Sequence, residues 1–222
     1  MSHSEHDRAD SNRGWLIAIA IAAALAIAGA IVPWPWLHYL AKPGATLLVL
    51  AMVARTPSTE RGYRLGLLMG LALSTLGDVF LMLPGDWFVF GLGSFLCAHI
   101  AYLLALTRRA RLFAATWPFL AYAALAGLVL SVLWPHLPTG LRIPVVIYVV
   151  VLAVMAAQAA AVWWRRRTRA TALAALGGLS FVASDATLAI DRFAAPFALA
   201  SVAVLASYWV AQSLIGLSVR ER

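Results

Sequence analysis

Long apolar segments recur along the chain, and each is bounded by charged residues or by Pro and Gly. Their length, roughly 20 residues, is what an α-helix needs to cross the hydrocarbon core of a bilayer. The apolar residues do not alternate in steps of two, as they would in the strands of a membrane barrel. Helices satisfy their backbone hydrogen bonds internally, which hydrocarbon requires. The pattern therefore predicts an all-α polytopic membrane protein, a bundle of about eight transmembrane helices.

The connections between the apolar segments are short, so residues 15–219 are predicted to form a single transmembrane domain. The polar residues 1–14 are predicted to be a disordered cytoplasmic tail. The second span is short and contains Pro43 and Gly44 near its start. The eight predicted spans are Trp15–Val32, Tyr39–Ala54, Tyr63–Leu83, Trp87–Leu106, Phe113–Trp134, Leu141–Trp164, Ala170–Ile190 and Ala194–Val219.

Composition and charge support a membrane location. Of the 222 residues, 63% are hydrophobic and only 12% are charged, which leaves too little polar surface for a soluble domain. The net charge of +8 would suit a nucleic-acid partner, but the basic residues cluster at the ends of apolar segments. Such clusters are typical of topology signals and lipid-headgroup contacts, so no nucleic acid is predicted.

The basic residues also predict an orientation. Of the 17 Lys and Arg residues, all but Lys42, Arg142 and Arg192 fall on one side of the predicted bilayer. Because cytoplasmic loops carry an excess of Lys and Arg, both termini are predicted to be cytoplasmic in the cell inner membrane. The single cysteine, Cys97, excludes a disulfide framework.

Two acidic residues lie inside predicted spans, Asp78 in the third and Asp185 in the seventh. A charged side chain in hydrocarbon costs about 2.5–3.5 kcal/mol on insertion scales, so such residues are usually functional. Both lie five residues from the non-cytoplasmic end of their spans, and a facing pair is expected. Lys42 is the best candidate for a cationic partner. We predict that the two carboxyl groups form a catalytic site.

Other polar side chains lie on helix faces that could point inward. A stripe of small residues, Gly62, Gly66, Gly70 and Ser74, leads to the first Asp at steps of four and should allow close helix packing. The remaining candidates are Ser74, His99, Tyr102, Ser184, Asp191, Arg192, Tyr208 and Gln212.

Each of these candidates also has a structural interpretation. Serines in helices commonly bond their own helix carbonyls. The tyrosines and Gln212 could be interhelical hydrogen-bond partners, and His99 could be a satisfied structural histidine. Asp191 and Arg192 form either a surface ion pair or part of the mouth of a site.

The order and spacing of several segments resemble the YhhN family, the bacterial relatives of the eukaryotic transmembrane lysoplasmalogenases. The segments are residues 73–82, 90–95, 98–102, 178–185, 192–193 and 208–212, with Lys42-Pro43 before them. The resemblance implies a fold of about eight helices. It also implies an enzyme that cleaves the vinyl ether bond of lysoplasmalogens with an ethanolamine or choline headgroup. The products are an aldehyde and a glycerophospho-alcohol.

Vinyl ether hydrolysis begins with proton transfer to carbon, followed by capture of an oxocarbenium ion by water. We expect Asp78 and Asp185 to divide the acid and base roles, in an order that the sequence does not assign. His99, Tyr102, Tyr208 and Gln212 are expected to orient water or the ether oxygen. Lys42 and Arg192 are expected to hold the substrate phosphate. The predicted partners are a lysophospholipid substrate and membrane lipid, with no cofactor and no metal.

Three other functions fit part of the pattern. Intramembrane carboxylates also relay protons, which suits a proton-coupled transporter of a small lipid or metabolite. A metal-dependent hydrolase would use His99 with Asp78 and Asp185, although zinc sites usually draw on more than one His or Cys. A purely structural or partner-binding membrane protein leaves the paired carboxylates without a purpose.

Overall fold

The computed structural model describes residues 3–32 and 34–220, with side chains described from Arg13 onward. Within that part of the chain it has eight α-helices, which confirms the all-α prediction. They are α1 (His3–Ile31), α2 (Pro35–Arg55), α3 (Arg61–Phe80), α4 (Phe88–Thr107), α5 (Trp117–Leu133), α6 (Arg142–Arg166), α7 (Arg169–Ala189) and α8 (Ala200–Leu217). A five-residue π turn, Ile190–Ala194, extends α7.

Seven of these helices are long and apolar enough to span a membrane, and α3 is the exception among the described residues. The third helix carries Arg61, Arg64 and Asp78, together with several small polar residues, which lowers its hydropathy. The membrane-spanning character of the chain is therefore confirmed. The exact count of eight spans and the side on which the termini lie stay predictions.

Proline explains two boundaries that were predicted wrongly. Helix α2 begins at Pro35 rather than at Tyr39, because the fixed φ of proline suits the first turn of a helix. Helix α8 begins at Ala200 rather than at Ala194. Pro196 lies in the intervening segment, and the residue before a proline is disfavoured in helical conformation.

Two other helix starts differ from the prediction. Helix α5 begins at Trp117, because Phe113 has a φ of 61°, which interrupts a right-handed helix. Helix α1 begins at His3, upstream of the predicted start at Trp15. The predicted disorder of residues 1–14 stays a prediction, and residues 1–2 lie outside the described part of the chain.

The small-residue stripe of α3 packs against α4. A Cβ added at Gly66 would lie 2.7 Å from Ala105 Cβ, and one added at Gly70 would enter the ring of Tyr102. Only glycine allows the two backbones to approach this closely. This close packing fixes the position of the carboxyl-terminal half of α3, which carries Asp78.

Helix α6 lies at the centre of the bundle, where it packs against α4, α5 and α7, while α8 packs against α7, α2 and α1. Helix α5 is peripheral, and only Pro118 and Leu133 are buried along it. The bundle has an Arg-rich end, where Glu60 pairs with Arg109 (2.6 Å) and Arg166 (3.2 Å). The opposite end, which we call the Arg-poor end, holds the candidate site.

Candidate active site

A cavity of about 100 Å³ lies inside the bundle near the Arg-poor end, and helices α2 to α8 all contribute to its wall. Leu, Val, Ala and Phe side chains make up most of the lining. The polar side chains on the wall are Lys42, Asp78, Tyr122, Tyr148, Ser184, Asp185 and Tyr208. The two predicted catalytic carboxyl groups therefore face the same apolar compartment.

Asp78 is almost fully buried, with 1% of its surface exposed, and it has three partners. Thr46 Oγ1 donates a hydrogen bond to Oδ2 over 2.7 Å, and the Tyr208 hydroxyl donates to the same oxygen over 2.9 Å. Lys42 Nζ lies 3.9 Å from Oδ1. Lys42 and Thr46 are one helical turn apart on α2, so both side chains face α3.

A chain of hydrogen bonds leads from Asp78 into the bundle. Gln212 lies one turn after Tyr208 on α8, and its Nε2 donates to the Tyr208 hydroxyl over 3.1 Å. The Tyr102 hydroxyl on α4 donates to Gln212 Oε1 over 2.8 Å. Three of the predicted orienting residues therefore hold one another and Asp78 in place. Of these three, only Tyr208 reaches the cavity wall.

Asp185 has different surroundings. Its side chain is half-buried, and the Tyr148 hydroxyl on α6 donates a hydrogen bond to Oδ2 over 2.5 Å. Within the described part of the chain, no Lys or Arg nitrogen lies within 4 Å of this carboxyl group. The two carboxyl groups thus share one cavity but differ in their polar neighbours. Asp78 faces a cation and two hydrogen-bond donors, whereas Asp185 faces a single hydroxyl group.

The predicted residues at the mouth have separate contacts. Arg192 Nη2 lies 3.3 Å from Asp86 Oδ1, and the guanidinium carbon sits 3.9 Å from the ring centre of Phe88, which lines the cavity. Asp191 Oδ1 accepts a hydrogen bond from the backbone N–H of Phe197 over 3.1 Å. Asp191 therefore holds the loop before α8, whereas Arg192 lies beside the cavity at the Arg-poor end.

The predicted serines differ in their contacts. Ser184 lines the cavity, but its hydroxyl donates to the carbonyl of Val204 over 3.0 Å and so joins α7 to α8. Ser74 is fully buried, and its Oγ has no hydrogen-bond partner among the described residues. Neither hydroxyl contacts a carboxyl group of the cavity.

His99 is fully buried behind the cavity wall, not on it. Its ring packs against the rings of Tyr148 (5.5 Å between centroids) and Phe181 (5.0 Å), and neither ring nitrogen has a partner among the described residues. No group of three or more His, Cys, Asp or Glu side chains in the described part of the chain is close enough to hold a metal ion. The structure does not bring His99 together with the two carboxyl groups.

Two contact residues were absent from the predicted site. Tyr148 carries a hydroxyl group within an otherwise apolar stretch of α6, and this contrast could have marked it as a site residue in the sequence. Thr46 follows Lys42 by four residues, so helical spacing alone placed it on the same face. Both are among the closest polar neighbours of the carboxyl groups.

Comparison with known proteins places the chain among membrane proteins. The sequence model of the YhhN family matches residues 37–219. A lysoplasmalogenase of Mycobacterium bovis is 37% identical over 179 residues, which cover 77% of this chain and 65% of the mycobacterial protein. Lysoplasmalogenase TMEM86A of Homo sapiens is 31% identical over 176 residues, which cover 78% of this chain and 70% of the human protein.

A further relative is the uncharacterized membrane protein YhhN of Escherichia coli O157:H7, which is 28% identical over 122 residues. This match covers 54% of the present chain and 58% of the relative. No solved structure matches the chain.

Proposed function

The chain belongs to the YhhN family, and from this premise we propose that it is a membrane hydrolase that cleaves the vinyl ether bond of lysoplasmalogens. One observation carries the proposal: Asp78 and Asp185 reach the same apolar cavity from different helices and have unlike neighbours. The relatives named lysoplasmalogenase supply the substrate class. The expected substrate is a lysophospholipid with one alkenyl chain.

The neighbours of the two carboxyl groups suggest which one donates the proton. Lys42, Thr46 and Tyr208 all stabilise negative charge on Asp78, which makes it the carboxylate and the base. Asp185 has no nearby cation in the described part of the chain, and an apolar cavity disfavours an unpaired charge. Asp185 is therefore the protonated acid.

The proposed reaction has three steps. Asp185 gives its proton to the β-carbon of the vinyl ether, leaving an oxocarbenium ion at the carbon bonded to oxygen. Water adds to that carbon as Asp78 takes a proton from it, which forms a hemiacetal. The hemiacetal collapses when Asp78 returns its proton to the glycerol oxygen and Asp185 takes the hydroxyl proton. The aldehyde and the glycerophospho-alcohol leave, and both carboxyl groups regain their starting states.

The remaining site residues take supporting roles. Lys42 acts as the partner of Asp78 rather than as a phosphate ligand, because its ammonium group lies within the cavity at 3.9 Å from that carboxylate. Arg192 at the Arg-poor end is the phosphate contact. We place the termini in the cytoplasm and the chain in the inner membrane, so that the headgroup approaches from the outer leaflet.

The test is aldehyde release by the purified protein in detergent from a vinyl ether lysolipid, with the ester analogue as the control substrate. Asp78→Asn and Asp185→Asn are each expected to lower turnover by about 10²–10⁴-fold, the usual contribution of a general acid or base. Thermal melting of each variant establishes that it is folded. Full activity in both folded variants would overturn the proposal. Turnover in detergent, where no gradient exists, also separates hydrolysis from proton-coupled transport.

A further inference from the structure

The cavity continues beyond the two carboxyl groups along α5 and α6. On α5 the lining runs from Leu133 to Tyr122, eleven residue steps along the helix, or about 16 Å at 1.5 Å per residue. On α6 it runs from Val145 past Tyr148 to Ala153. The part between Tyr148 and Ala153, about 7 Å along the helix, lies further from the Arg-poor end than the contact with Asp185.

This deeper part has the shape of a groove. Helix α6 packs against both α4 and α5, whereas α5 packs chiefly against α6 and the π turn, with no comparable contact to α4. The wall residues from α4 and α5 are therefore separated by the α6 floor. The groove is apolar: its lining includes Phe95 of α4, Leu125 and Ala126 of α5, and Leu152 of α6. The α5 members are half-buried, so the groove is not closed on that side.

The free space is too small for a whole lysophospholipid. Each water-sized group needs about 10–15 Å³ of such space, so a cavity of about 100 Å³ holds on the order of eight groups. A glycerophosphate headgroup and a long alkenyl chain exceed this number. Part of the substrate must therefore lie outside the cavity, and an apolar chain is most stable in the bilayer.

Resting on the proposed function, we propose that the apolar groove between α4 and α5 is the subsite for the hydrocarbon chain of the substrate. The vinyl ether lies between Asp78 and Asp185, the first carbons of the chain lie on α6, and the remaining carbons pass between α4 and α5 into the lipid. The same groove releases the fatty aldehyde sideways into the bilayer. The glycerophospho-alcohol leaves past Arg192 at the Arg-poor end.

Binding can be tested without catalysis. The probe is a saturated 1-O-alkyl lysolipid, which has no vinyl ether to hydrolyse, with a photoreactive diazirine near the middle of the chain, in the part that the proposal places between α4 and α5. We expect covalent labels on residues 92–97 of α4 and 122–129 of α5 that disappear when excess unlabelled alkyl lysolipid competes. Competable labels on α1, α2 or α8, or labels in α4 and α5 that resist competition, would overturn the proposal. This result does not depend on hydrolysis, so the groove and the reaction can fail separately.

Chain-length dependence gives a second test on the active protein. Ala126→Phe fills the groove about two turns of α5 from Leu133, whereas Ala124→Phe places the same ring at an exposed position on α5 outside the cavity lining. Ala126→Phe should lower kcat/KM at least tenfold for a sixteen-carbon alkenyl substrate, chosen as about the length of a membrane lipid chain. A substrate with a chain of about four carbons should lose less than twofold, because it ends before the new ring.

Ala124→Phe should leave both substrates unchanged. Equal loss with the long and the short substrate in Ala126→Phe would show that the ring disturbs the reacting centre, and this would overturn the chain subsite. Unchanged turnover of the long substrate would overturn it as well. If Ala126→Phe does not fold, the photolabelling of the unaltered protein decides the matter.

Discussion

Replacing Tyr148 by Phe removes one hydroxyl from the cavity wall, and we expect it to slow proton transfer to carbon. That hydroxyl donates to Asp185 Oδ2 over 2.5 Å. A hydrogen bond between neutral groups contributes about 0.5–1.5 kcal/mol net, and one to a charged group about 1.5–3 kcal/mol. In the proposed mechanism Asp185 gains negative charge as its proton leaves, so this bond strengthens by about 1–1.5 kcal/mol in the transition state. The corresponding fall in kcat is about 5- to 10-fold.

The assay is steady-state aldehyde release from a vinyl ether lysolipid, with kcat and KM determined separately. Tyr148→Phe should lower kcat and leave KM within about twofold, because the lost interaction belongs to the transition state. Tyr39→Phe is the matched control, since Tyr39 is exposed and its ring contacts Trp36 outside the cavity. A raised KM with unchanged kcat, or unchanged values of both, would refute the assignment of Asp185 as the proton donor.

Three further variants test other parts of the structure. Lys42→Met should lower the melting temperature in detergent, because removing one partner of a buried ion pair costs about 3–5 kcal/mol. The double variant with Asp78→Asn should melt closer to the unaltered protein, since neither charge is then left unpaired. Arg192→Gln should raise KM for a lysophospholipid about tenfold, because the substrate phosphate loses one hydrogen bond to a charged group. The same variant should not raise KM for a vinyl ether glycerol that lacks the phosphate. Gly70→Ala should lower the melting temperature because its Cβ would enter a buried tyrosine ring, whereas Gly127→Ala, with nothing within 4 Å, should not.

The helical architecture could be predicted because the requirement for internal backbone hydrogen bonds in lipid acts on each apolar segment separately. The boundaries were less predictable, since they depend on single residues. Pro35 starts α2 earlier than the apolar pattern suggested, and Phe113 in a left-handed conformation delays α5. The third span, predicted as Tyr63–Leu83, corresponds to α3 (Arg61–Phe80), although Asp78 and the arginines of its first turn lower the hydropathy of that helix.

The candidate site could be predicted in part, because a carboxyl group within an apolar helix is costly and therefore conspicuous. The partners of each carboxyl group depend on how the helices are rotated and packed against one another. The sequence of a single span does not determine this packing. The sequence left Lys42 with two possible roles, and the structure places it 3.9 Å from Asp78. It also shows Tyr148 next to Asp185 and moves His99 off the cavity wall, because the side of α4 that carries His99 faces a cluster of aromatic rings.

In the proposed mechanism, one apolar cavity can hold both an acid and a base because the two carboxyl groups have different polar neighbours. Two ionised carboxylates would repel each other strongly at low dielectric, and two protonated ones would leave no group to accept a proton from water. Helix α2 resolves this by bringing a cation and a hydroxyl, Lys42 and Thr46, to Asp78 but not to Asp185. In the proposed mechanism α2 therefore takes part in the chemistry, although neither carboxyl group lies on it. A homologous chain without a basic residue at this position would need a cation from another helix to keep the same division of roles.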